Sequence, residues 1–121
     1  LKEGHVEAAR ELLAKGRELL AKGADANAKD KDRDRALMKA AEGGHVEVVR
    51  ELLAIGADAS AQDRLGYTVL MRAAEGGHVE VVRELLAKEA DVNKKNQYGG
   101  TALLRALKEG HVEAARELLA K

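Results

Sequence analysis

Apolar residues recur along the chain at the spacing of short amphipathic helices. Within residues 46–54 the apolar positions share one helical face, and charged residues occupy the opposite face. This predicted apolar face consists of Val46, Val49, Leu52 and Leu53. Residues 70–74 form a shorter run of apolar and small side chains that ends at Gly76 and Gly77. The pattern predicts pairs of short antiparallel helices, one rich in small residues and one amphipathic.

The helical pattern repeats with a period of 33 residues. Residues 40–54 recur letter for letter at residues 73–87, and a third copy follows at the same offset. One helix pair cannot bury its own apolar face, so stacking has to supply the core, and about three units are needed for stability. We therefore predict one domain over residues 1–121. Its predicted units are a partial repeat at 1–32, repeats at 33–65 and 66–98, and a terminal partial repeat at 99–121.

The first predicted unit contains a duplication of seven residues. Residues 10–16 are followed at once by the same letters at residues 17–23. Seven residues are nearly two helical turns. The insertion therefore either lengthens a helix running from about His5 to Lys22 or is looped out. Residues 1–15 are also identical to residues 107–121, and such identity indicates an engineered or strongly idealised sequence.

Fixed residues within each unit resemble those of the ankyrin repeat family. The matching residues are Gly56-Ala57-Asp58, Asp63, Gly66, Thr68, Leu70, Ala73-Ala74 and Gly77-His78, at the 33-residue period. The resemblance implies an all-α fold, an ankyrin-repeat solenoid of stacked antiparallel helix pairs joined by β-turn loops. The family's Thr-Pro-Leu-His tetrapeptide is replaced here by Thr68-Val69-Leu70-Met71 and by Thr101-Ala102-Leu103-Leu104. Loss of the proline removes a residue that pre-forms the first helical turn.

Composition and charge narrow the classes of partner. The 121 residues include 21 basic and 21 acidic side chains, so no basic surplus is available for nucleic acid or for a membrane surface. There is no cysteine, and no apolar run has the length of a membrane span. We expect a soluble protein, cytoplasmic if natural and otherwise a recombinant design. Charges at four-residue spacing, such as Glu84 and Lys88, predict ion pairs within single helices.

Candidate catalytic or metal-binding groups are few. His5, His45, His78 and His111 recur once per unit, about one helix spacing apart, too far for one metal ion. We expect each to bond to an adjacent loop. Residues 30–34 resemble the start of a calcium loop, but arginine and alanine stand where glycine and glutamate are required, so a solvated loop is expected. No base is placed to activate a hydroxyl. We predict no enzyme activity, no cofactor and no metal.

The remaining function is recognition of another protein. Resemblance to ankyrin implies binding through the turn tips and inner helices. The residues at these positions are Arg64, Leu65, Tyr67, Arg72, Gln97, Tyr98 and Arg105. Tyrosine and arginine are enriched among residues that dominate binding energies.

Three interpretations of function remain open. The first is a non-enzymatic engineered scaffold that hosts a duplicated helical segment. The second is a protein-interaction module that uses the turn tips and inner helices. The third is a self-assembling block, because terminal helices without polar caps favour head-to-tail association.

Overall fold

A computed structural model describes residues 26–120 of the chain, with side chains from residue 31 onward. The helices are α1 (Ala26–Glu42), α2 (Val46–Ala54), α3 (Val69–Glu75), α4 (Val79–Ala87), α5 (Ala102–Lys108) and α6 (Val112–Leu119). Extended structure in this range is limited to one isolated antiparallel bridge between Gln62 and Thr68. The duplicated segments 10–16 and 17–23 and the predicted helix from His5 to Lys22 lie outside the described residues.

The six helices of residues 26–120 form a stack of three pairs. Each pair joins an inner helix (α1, α3 or α5) to an outer helix (α2, α4 or α6) through a short turn. The inner helices contact one another in the order α1, α3, α5, and the outer helices in the order α2, α4, α6. The predicted fold class is confirmed. Among the described residues, no helix has both the length and the apolar character required to cross a membrane.

Side-chain caps start the second and third inner helices. The Thr68 hydroxyl accepts a hydrogen bond from the Met71 N–H at 3.1 Å, and the Thr101 hydroxyl accepts one from the Leu104 N–H at 3.3 Å. Each cap satisfies an N–H group that a helix start otherwise leaves without a partner. The helices therefore begin at a defined residue although the proline of the family pattern is missing.

Glycine ends the second inner helix. Gly77 has φ +71°, the His78 N–H donates to the Ala73 carbonyl, and the Gly77 N–H donates to the Ala74 carbonyl. This pair of bonds is a Schellman motif, which satisfies carbonyl groups at the helix end. The predicted role of Gly76 and Gly77 as helix terminators is confirmed.

The core runs along the stack between inner and outer helices. Val49 and Leu52 of the predicted apolar face are buried, whereas Val46 and Leu53 are only half-buried. Val48, which was not assigned to that face, is buried as well. The buried face is wider than predicted because α2 packs against both α1 and α4. Ala73 and Ala74 are fully buried, since small side chains allow the inner helices to approach closely.

The prediction of a loop at residues 30–34 is wrong. These residues belong to α1, whose 17 residues make it ten longer than α3. Residues 31–35 contain neither a glycine equivalent to Gly66, which turns the chain before α3, nor a threonine equivalent to Thr68, which starts that helix. Asp32 and Arg35 face each other one turn apart, at 4.0 Å. With no turn or cap residue to interrupt it, the helix continues upstream.

Candidate functional site

Two loops, which we call fingers, precede the second and third inner helices. In finger 1 (residues 62–68), the Asp63 carboxylate accepts hydrogen bonds from the N–H groups of Leu65 and Tyr67, at 2.9 and 3.0 Å. In finger 2 (residues 96–100), the Asn96 side-chain oxygen accepts bonds from the N–H groups two and four residues later, both at 2.9 Å. One side-chain oxygen at the base thus fixes the shape of each finger.

A backbone hydrogen bond joins the fingers. The Gln97 N–H donates to the Leu65 carbonyl at 2.9 Å. Gly66 allows this approach, because a Cβ atom there would lie 3.1 Å from both the Asn96 Cα and the Gln97 nitrogen. Gly66 also has φ +79°, a conformation that favours glycine. The fingertips therefore keep a fixed separation.

Behind the fingers, the Tyr67 ring is covered by two arginines. The Arg72 guanidinium carbon lies 3.9 Å from the ring centroid, and that of Arg105 lies 5.5 Å from it. Only 8% of the Tyr67 surface is exposed. Contacts of this kind between a cation and an aromatic face are favourable, more so when partly desolvated. Tyr67 consequently holds one arginine from each of two successive inner helices.

Two carboxylates complete the network around Tyr67. Arg72 donates to the Asp63 carboxylate at 2.8 Å, which ties α3 to the base of finger 1. Glu75 lies 3.3 Å from Arg105 and 3.8 Å from Arg72. All four charged side chains are less than a third exposed. The network therefore links finger 1, α3 and α5 into one unit.

An open cleft of about 490 Å³ lies between finger 2 and α5. Its lining residues are Tyr67, Asn96, Tyr98, Gly100, Leu104, Arg105 and Lys108. The Tyr98 side chain is 69% exposed at its mouth, and Leu104 is exposed as well. Lys108 forms no ion pair with any described residue. The cleft thus combines exposed apolar surface with an available ammonium group.

The family model for ankyrin repeats (3 copies) matches residues 1–96 and, in a second match, residues 53–121, so that the two together span the whole chain. The chain belongs to the ankyrin repeat family. Ankyrin repeats typically mediate protein interactions and are generally not enzymes. No curated protein matches the sequence.

The ankyrin fold brings the seven predicted site residues into two groups. Arg64, Leu65, Gln97 and Tyr98 are exposed on the fingertips. Tyr67, Arg72 and Arg105 instead form the network behind the fingers and present little free surface. Asp63, Glu75 and Lys108 were not selected from the sequence. Asp63 could have been found, because it begins the Asp-x-x-Gly pattern that matched the ankyrin family.

On the outer helices, ion pairs connect successive ankyrin units. Arg50 donates to Glu84 at 2.8 Å, and Arg83 donates to Glu117 at 2.9 Å. The predicted pairing of Glu84 with Lys88, which follows the last residue of α4, is wrong, because Glu84 instead pairs with Arg50 of the preceding outer helix α2. These carboxylates raise the pKa values of Arg50 and Arg83, chiefly through the hydrogen bonds they accept. Both arginines are about half exposed, so each pair contributes little to stability.

His78, one of the repeated histidines, links two successive units. His78 precedes α4, and its Nε2–H donates to the Glu42 carbonyl of the preceding pair at 2.9 Å. The expected bond is thus present for His78, although its acceptor is the last residue of α1 and not a loop residue. His111 makes no such bond to any described residue, and its ring packs over Gly77. Among residues 31–120, no group of three or more His, Asp or Glu side chains is arranged to hold a metal ion.

The Asp63 carboxylate has a lowered pKa. Partial burial acts to raise it, but the hydrogen bond from Arg72 and those from the N–H groups of Tyr67 and Leu65 outweigh burial. A pKa lowered by folding contributes stability that is present above the ordinary value and is lost as the pH falls through the folded value. Arg72 has a raised pKa: burial lowers it, and the bond to Asp63 and the charges of the carboxylates more than compensate.

Replacing Asp63 with asparagine should therefore make the free energy of unfolding fall less steeply as the pH is lowered. At neutral pH we expect a loss of about 1 kcal/mol in the free energy of unfolding, because Arg72 loses its charged partner. The difference from the parent chain should shrink as the pH falls below about 4, where the parent carboxylate becomes protonated. Urea titrations at a series of pH values measure this. Stability curves that stay parallel down to low pH would contradict the assigned role of Asp63.

Proposed function

We propose that this ankyrin chain binds another protein through the fingertips and the cleft beside finger 2. The observation that supports this most directly is Tyr98, a large aromatic side chain left 69% exposed at the mouth of the cleft. Finger 2 is held by Asn96 and by its backbone bond to finger 1, so little ordering entropy is lost when a partner binds. An exposed aromatic residue on a rigid support is typical of binding hot spots.

The lining of the cleft favours a partner segment with an apolar side chain next to a carboxylate. The apolar group would pack against Tyr98 and Leu104, and the carboxylate would pair with Lys108. Arg105 is already engaged by Glu75 and Tyr67, so it contributes positive potential and a fixed wall. Arg64 on finger 1 adds a second exposed cation. Acidic segments are favoured on electrostatic grounds.

Selection from a random-peptide display library tests this proposal. Peptides enriched on the parent chain should carry aspartate or glutamate beside an aromatic or aliphatic residue. Changing both Tyr98→Ala and Lys108→Glu should weaken their binding at least about tenfold, since hot-spot truncations cost more than about 1 kcal/mol. Lys88→Glu makes the same charge change at an exposed position on the outer side. Equal loss in that control, or binding indifferent to the double change, would refute the site.

Tyr67 is unsuitable as a probe of binding. Its ring is buried and contacts both Arg72 and Arg105, so its truncation should also reduce stability. Of the two tyrosines, Tyr98 is therefore the one whose truncation tests binding without a loss of stability.

A second candidate function is that of a scaffold that accommodates a duplicated helical segment. It is favoured by the letter-for-letter identity of residues 10–16 with 17–23, and of residues 40–54 with 73–87. The repeated outer helices α2 and α4 also start with the same backbone geometry, at His45 and His78. Deleting residues 17–23 tests this function: a scaffold of this kind keeps its helical content and cooperative unfolding without them.

A further inference from the structure

The third helix pair exposes apolar side chains at positions whose equivalents in the second pair are buried. Leu107 is 56% and Leu119 is 68% exposed, while the residues 33 positions earlier, Ala74 and Leu86, are 0% and 6% exposed. Val112 is 57% exposed as well. The difference arises because the third pair covers Ala74 and Leu86, whereas no described residue covers the third pair. We call the patch formed by Leu107, Val112 and Leu119 the end surface.

The interface between α4 and α6 shows what fits such a surface. There the His111 ring packs over Gly77, so closely that a Cβ atom on Gly77 would lie 2.6 Å from Nδ1. Glu117 accepts hydrogen bonds from Arg83, whose remaining nitrogen bonds to Glu80 in its own helix. The segment that covers α4 therefore packs a histidine over Gly77 and pairs a glutamate with Arg83.

The third pair repeats both receiving groups. Gly110 stands where Gly77 does, with φ +75°, and a Cβ atom placed on it would meet nothing within 4 Å. Arg116 stands where Arg83 does and bonds to Glu113 in its own helix. Its Nε and Nη2 groups, whose counterparts in Arg83 bind Glu117, make no bond to any described residue. The surface has the shape and charge to receive another copy of the segment that covers α4.

The chain contains a second copy of that segment. Residues 1–15 are identical to residues 107–121, which include all of α6. They carry His5 and Glu11 at the positions of His111 and Glu117. We propose that the end surface is a self-association site, which residues 1–15 of a second copy of this chain cover with His5 over Gly110 and Glu11 at Arg116.

This contact is head-to-tail, so each bound copy offers its own end surface to the next. Association of this kind does not close by itself, and oligomers grow with concentration. The site is separate from the fingertips and from Tyr98. If peptide binding at the fingertips and the cleft fails its test, the proposal of self-association still stands. If self-association fails its test, the proposed function still stands.

Sedimentation of the full chain over a range of concentrations tests the proposal in two steps. The parent should show a mass that rises with concentration, and the double variant Leu107→Asp with Leu119→Asp should stay monomeric. Circular dichroism confirms that the variant is folded, which is expected because both side chains are exposed. Tyr98→Ala should associate like the parent.

Charge exchange then identifies the covering segment. Glu11→Arg and Arg116→Glu should each weaken association about threefold to tenfold, because each places like charges together. Mixing the two single variants should restore it, since arginine at position 11 then meets glutamate at position 116. A monomeric parent, association that survives the Leu107 and Leu119 changes, or a mixture no stronger than its components would each overturn the proposal.

Discussion

Replacing Leu86 with alanine should lower the free energy of unfolding by about 2–5 kcal/mol, the range found when buried leucines are truncated. Leu86 lies on α4 with only 6% of its surface exposed, in the layer that α6 covers. Truncation removes the apolar area that this side chain buries and leaves a cavity between helices that the stack cannot fully close. Because stability in a stacked repeat is shared between neighbours, the loss should also reduce the cooperativity of unfolding.

The chain supplies a matched control in Leu119. It occupies the same position in α6, within an almost identical sequence, but is 68% exposed. Leu119→Ala should change the free energy of unfolding by less than about 0.5 kcal/mol. Denaturation by guanidinium chloride, at a concentration where the parent is monomeric, measures both variants. Comparable losses would mean that burial by the next pair is not what distinguishes the two leucines.

Replacing Gly77 with alanine should cost about 2–5 kcal/mol, from two sources. Gly77 has φ +71°, and any residue with a Cβ atom pays about 1–2 kcal/mol for this conformation. The new methyl group would also meet the His111 ring at 2.6 Å and force it away. Displacement of a packed side chain adds about 1–3 kcal/mol.

Gly110→Ala separates these two sources. Gly110 has nearly the same backbone conformation, φ +75°, but nothing lies within 4 Å of the position that its Cβ atom would take. This variant should therefore lose only the conformational part, about 1–2 kcal/mol. Thermal or chemical unfolding of both variants gives the difference. An equal loss at the two positions would mean that the His111 ring yields without cost.

The fold was predictable wherever the repeat is regular. Residues 40–54 and 73–87 specify their helices through apolar periodicity, and the glycines specify where the inner helices end. Thr68 and Thr101 act as caps, as their place at the start of the pattern suggests. The structure of the region before Ala36 was harder to predict, because the turn residues of the repeat are missing there and no other clear signal takes their place. In the structure this charged stretch is helical and forms the first part of α1.

The candidate site was predictable as a region but not in its internal arrangement. The period places Tyr67, Arg72 and Arg105 near one another, yet it does not show that two cations lie over one ring. Burial of Tyr67 depends on an arginine from the next unit, and a single unit's sequence does not contain that contact. Ion pairs between outer helices, such as Arg83 with Glu117, were not predicted, because four-residue spacing indicates partners only within one helix.

The link between the fingers uses backbone atoms alone, from the Gln97 N–H to the Leu65 carbonyl. Substitutions of the outward side chains at Arg64, Leu65, Gln97 and Tyr98 would leave that link unchanged, except for proline at position 97, which has no N–H to donate. New specificities can therefore arise at these four positions, by mutation or in a combinatorial library, without loss of the architecture that displays them.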